Sequence, residues 1–221
     1  MWEFSFIGIR IQIHFSFLLL IAVFFFMGNG YLALYSAIFS MMHEFSHGIA
    51  ARKLGYTPES ITAGLSGGVL HLREGYLRSS DELLIHLSGP FFNLSMSMLF
   101  YIVYLYFPVI WIRDIIVSNL ILALFNLMPF YPLDGGKITG LYLSYFFGYR
   151  NAYIISKTFS YLFSVFLFFL GIYLLQYSVI NLLISALAVN LYFAVREDSR
   201  YSFYRLMCIY TDLEKENSKW N

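Results

Sequence analysis

Two histidines four residues apart enclose a glutamate in His43-Glu44-Phe45-Ser46-His47, inside a long apolar stretch from Tyr31 to Leu54. On a helix, residues four apart project about 40° from one another, so both imidazoles face one cation while Glu44 stays near a water at the same site. This is the H-E-x-x-H spacing of zinc hydrolases, in which imidazole nitrogens hold the ion and the glutamate takes a proton from water. An uncompensated charge is costly in apolar surroundings, so three ionisable groups within five residues point to a site. A catalytic zinc centre of this kind needs a third protein ligand.

A second cluster offers one. In Asn126-Leu127-Met128-Pro129-Phe130-Tyr131-Pro132-Leu133-Asp134-Gly135-Gly136, Asp134 stands behind two prolines and before two glycines, on backbone that cannot be a regular helix. Its carboxylate fits as the third ligand beside His43 and His47; the alternative is that it caps its own turn. Asn126, about one turn before Pro129, is placed to donate a hydrogen bond to the oxyanion formed when water attacks a peptide carbonyl. Bridging two helices is its alternative role. Asn93 divides evenly between an active-site polar group and helix packing, and His14 and His86 read as packing groups or as contacts behind the ligands.

The elements that carry these residues belong to a membrane. Of 221 residues 59% are hydrophobic and 12% charged, with a mean hydropathy of +0.67, too apolar for an ordinary water-soluble domain. A net charge of +1 without a basic run argues against nucleic acid as partner. The single cysteine, Cys208, leaves no intramolecular disulfide. The start Met1-Trp2-Glu3-Phe4 lacks a basic region and no small-residue cleavage site follows the first apolar run, so no cleavable signal peptide is expected.

Six stretches are apolar enough to span the bilayer: Ile11–Met27, Tyr31–Leu54, Leu83–Phe107, Ile115–Met128, Ala152–Leu175 and Val179–Val195. Pro90 should loosen or kink the third, and Pro129 should end the short fourth in an irregular segment. With both termini cytoplasmic, every one of the 14 Lys and Arg residues except Arg113 lies inside, as the positive-inside rule requires. The second and fourth spans then both run inward, which brings His47 and Asp134 into the same half of the membrane. Between the second and third spans, Ser60 to Leu72 reads as one or two strands beside the membrane with an open edge, or as an interfacial loop. Gly67-Gly68 would let an extended peptide approach that edge, or would form an ordinary turn. The expected fold class is membrane all-α, a six-transmembrane-helix bundle with a short membrane-associated β segment between the second and third helices. Residues 1–195 form the membrane domain and 196–221 a cytoplasmic C-terminal tail.

The paired motifs, together with Gly89-Pro90-Phe91-Phe92-Asn93, resemble the site-2 protease family of intramembrane zinc metalloproteases. The resemblance runs from His14 to about Tyr210. Within that family the six-span layout without a PDZ insertion looks most like the bacterial stage IV sporulation protease, the FB-type subgroup. The resemblance implies proteolysis in or at the edge of the bilayer with Zn²⁺ on His43, His47 and Asp134 and with Glu44 as general base. For the subgroup it implies cleavage of the pro-sequence of a membrane-tethered sigma-factor precursor in a bacterial cytoplasmic or forespore membrane, with small membrane proteins as inhibitory partners. Members of the subgroup continue into a cytosolic CBS domain, from which this sequence departs. The rival readings are a membrane zincin acting on soluble or prenylated substrates, a metal transporter and a catalytically silent membrane scaffold. A transporter should show paired broken helices in two repeated halves, which the sequence lacks, and a scaffold has no need of Glu44.

Overall fold

Apolar and polar residues alternate in Trp2-Glu3-Phe4-Ser5-Phe6 and again in Ile9-Arg10-Ile11-Gln12-Ile13, the period that puts every second side chain on one face of a strand. Both segments are strands in the computed structural model, β1 (Trp2–Phe6) and β2 (Ile9–Ile13). The structure describes residues 2–6, 8–64, 67–73, 77–177, 181–182 and 184–196. Two further strands, β3 (Pro58–Gly64) and β4 (Gly67–Leu72), complete a sheet of order β1-β2-β3-β4. β2 and β3 run parallel, with Ile11 opposite Ile61 and Ile13 opposite Ala63; the outer pairs are antiparallel. Ile9, Ile11, Ile61 and Ala63 are buried, while Arg10 pairs with Glu59 at 2.5 Å on the exposed face.

The β segment expected between the second and third helices is therefore present, but as half of a four-stranded sheet whose other half precedes the first helix. That corrects the start of the first apolar stretch: Ile11 to Ile13 are strand, and helix α1 (Phe15–Phe24) begins after His14, whose amide donates to the Ala63 carbonyl at 2.9 Å. A π-helical turn over Phe25–Asn29, with Gly28 at φ 79°, joins α1 to α2 (Gly30–Lys53). Gly28 supplies the left-handed conformation that a side chain would resist. At Gly48, α2 has no side chain to hold off the sheet, and Ile9, Pro58 and Leu70 pack against it.

α3 (Ser79–Tyr106) runs on through Pro90 as one helix. α4 (Ile110–Asn126) ends ahead of Pro129, and residues 127–133 are irregular, as the two prolines require. This turn is tied down: the Tyr131 amide donates to Ser160 Oγ at 2.7 Å, and Phe130 stacks on Phe163 at 3.7 Å between centroids. A side chain at Gly135 would run into the Leu127 carbonyl, so the turn lies flat on the first residues of α5 (Asp134–Leu174). Gly148, at φ 72° and ψ 157°, divides α5 into segments 134–147 and 149–174. α6 (Ile184–Arg196) follows.

Among the described residues, α3 and α5 are long and apolar enough to cross a membrane, and α6 is a shorter apolar helix. The proposed tail beyond Arg196 lies outside the described residues.

Candidate metal centre

The 3.6-residue period of α2 places His43 and His47 on one face, their ring centroids 4.7 Å apart, and both are buried. Asp134, the first residue of α5, comes to the same point from 87 residues further along. Its Oδ2 lies 3.0 Å from His43 Nε2 and 3.1 Å from His47 Nε2. Ligands around a tetrahedral zinc at ordinary bond lengths are about 3.3 Å apart, so two imidazole nitrogens and one carboxylate oxygen already stand at near-ligand separations. His43, Glu44 and His47 each offer a donor atom, all within 4.8 Å of one another. This set of nitrogen and oxygen donors suits Zn²⁺.

The groups behind the donors also fit a cation. His47 Nδ1 donates to the Ile85 carbonyl at 2.6 Å, which puts a proton on Nδ1 and makes Nε2, the atom that faces Asp134, the nitrogen able to hold a cation. Asn93, fully buried on α3, places its amide 3.2 Å from His43 Nδ1. A cation on His43 Nε2 requires a proton on Nδ1, and the Asn93 amide turned by 180° accepts that proton on Oδ1, so this contact suits a metal-holding tautomer. Ser46 Oγ donates to the Ser88 carbonyl at 2.9 Å and joins α2 to α3 beside the site.

Two glycines make room. A side chain at Gly89 would overlap the His47 imidazole and would lie 2.6 Å from His43 Nε2, so α3 comes this close only because that position has none. Gly68 of β4 stands against Glu44 in the same way, and a Cβ there would collide with the glutamate side chain. Gly68 is therefore a floor for Glu44.

His43 and His47 meet Glu44 on one side and Asp134 on the other, and Asn93 stands beside His43. Asn126 is turned elsewhere: its Nδ2 donates to the Leu122 carbonyl of its own helix at 3.0 Å. His86, read from sequence as a packing or supporting group, contacts Asp134 Oδ1 at 3.0 Å. Gly89 and Gly68 stand out in the sequence as part of short motifs, but their contacts with the histidines and with Glu44 depend on elements distant in the chain.

Comparison with known proteins agrees with this geometry. No family model matches the chain. A zinc metalloprotease of Methanocaldococcus jannaschii is 28% identical over 211 residues, 89% of this chain and 60% of that protein. Rip3 of Mycobacterium tuberculosis, whose zinc metalloprotease name is provisional, is 33% identical over 111 residues, 47% of this chain and 28% of that protein. The chain thus spans about 60% of the length of the first relative and less of the second. Among solved structures, the site-2 protease from M. jannaschii superposes with a TM-score of 0.73 at 24% identity, covering 90% of this chain and 95% of that one. The chain has the fold of a site-2 protease, and its sequence relatives are proteins named zinc metalloproteases.

Proposed function

We propose that this protein is an intramembrane zinc metalloprotease of the site-2 type, in which His43, His47 and Asp134 hold Zn²⁺ and Glu44 is the general base. The observation that carries the reading is the approach of Asp134 Oδ2 to both imidazoles, at 3.0 and 3.1 Å, across 91 and 87 residues of chain. When bound, zinc supplies a Lewis acid that polarises a carbonyl and makes water acidic near neutral pH. Glu44, for which Gly68 leaves room, takes the proton from the attacking water and returns it to the leaving amine. Asn126 stabilises the oxyanion after releasing its bond to the Leu122 carbonyl.

Substrate enters as an extended strand. Carbonyls in a helix are hydrogen-bonded and shielded, so a membrane-embedded substrate must unwind before attack. Among the described residues β4 is an outer strand of the sheet with Gly68 beside Glu44, which favours addition of an unwound segment along that edge. The charge distribution supports six spans with both termini cytoplasmic. The six-span layout and the short connection between α2 and α3, without a PDZ insertion, favour the FB-type sporulation subgroup. On that assignment the substrate is the pro-sequence of a membrane-tethered sigma-factor precursor, and small membrane proteins are the inhibitors.

Incubation of the purified protein with membrane-tethered precursors, with and without a chelator, followed by mass analysis of fragments, tests the proposal. Cleavage near the membrane boundary that stops with chelator and returns with zinc is the expected result. Zinc-dependent metal flux into liposomes without any cleavage would instead establish a transporter.

A further inference from the structure

A third histidine stands at the metal centre. We propose that His86 is a positioning residue that pins one oxygen of Asp134, so that the other alone is presented to the cation. The inference rests on the zinc reading above.

Its Nδ1 lies 3.0 Å from Asp134 Oδ1, whereas His43 and His47 both approach Oδ2. The carboxylate is therefore divided, with one oxygen for the two imidazoles that face the donor cluster and one for His86. An aspartate carboxylate turns easily about its last torsion and can offer either oxygen or both to a cation. A donor fixed on Oδ1 removes that freedom. His86 is held where it can act. It lies on α3 one turn before the Gly89 approach, its ring 6.0 Å from that of His47, and its side chain is 16% exposed against 10% for Asp134. α3 thus supports all three proposed ligands from behind: Asn93 contacts His43, the Ile85 carbonyl holds His47, and His86 holds Asp134.

The test uses zinc affinity, measured on the purified full chain by competition with a chromophoric chelator. In asparagine, Nδ2 falls about where Nδ1 lies in histidine, while in glutamine the amide nitrogen sits one bond further out. His86→Ala and His86→Gln are expected to weaken zinc binding by about 10- to 100-fold, and His86→Asn to stay within a few-fold of the parent. Unchanged affinity in His86→Ala would overturn the proposal. So would a loss in His86→Asn equal to that in His86→Gln, since that pattern belongs to ring packing. If His86→Ala does not fold, the asparagine and glutamine variants decide between the two outcomes. A parent protein that takes up no zinc would overturn the metal reading itself, and the inference with it.

Discussion

Glu44→Gln is expected to lower peptide turnover by about 10²- to 10⁴-fold, the usual contribution of a general base, while the protein keeps its zinc. The amide is nearly isosteric with the carboxylate, so Gly68 still accommodates it and the imidazoles stay where they are. What disappears is the basic oxygen that accepts the proton. In free energy this is about 3–5 kcal/mol of barrier, and it should appear in kcat with little change in KM. Single-turnover assays beside metal analysis check both halves of the expectation. Undiminished turnover would remove Glu44 from its role, and loss of zinc together with turnover would make it a ligand.

Gly89→Ala should be as damaging by a different route. The added methyl would overlap the His47 ring and sit 2.6 Å from His43 Nε2, well inside van der Waals contact. Neither imidazole can retreat freely, because His47 is anchored to the Ile85 carbonyl and His43 to Asn93. Either α3 moves away from α2 or the nitrogens leave their positions. A displacement on the order of 1 Å at such a site costs about 10²-fold in rate. Here zinc affinity should fall as well, since the displaced atoms are the donors. Parallel measurement of zinc content and cleavage checks this, and a Gly89→Ala protein with normal zinc would show that α3 does not press on the imidazoles as described.

Much of the site was legible in the sequence because its chemistry is carried by local spacing. Four-residue separation of two histidines on a helix forces them onto one face. The two prolines before Asp134 confine the irregular backbone to residues 127–133, and Asp134 itself opens helix α5, not the irregular segment that its neighbours suggest. The approach of these segments followed from the direction of two apolar stretches and the distribution of Lys and Arg. The N-terminal strands were missed for a definable reason. Ile11 and Ile13 are apolar enough to be counted into the following helix, and only the period-two alternation with Arg10 and Gln12 shows that they belong to a sheet. Fold-level pairing was beyond local reading: no local pattern tells that β2 runs parallel to β3, some fifty residues away. Pro90 shows the opposite limit. A proline inside a helix removes one hydrogen bond, yet α3 continues through it, anchored to α2 on both sides of that position by the Ile85 and Asn93 contacts.

On the proposed function, segments some ninety residues apart clamp one zinc ion. X-ray absorption at the zinc edge, on the purified protein and on Asp134→Ala, tests it most directly. One zinc per chain with two imidazole nitrogens and oxygen in its first coordination sphere is expected, together with a marked loss of zinc in the variant. Full zinc occupancy with an unchanged spectrum in Asp134→Ala would contradict it.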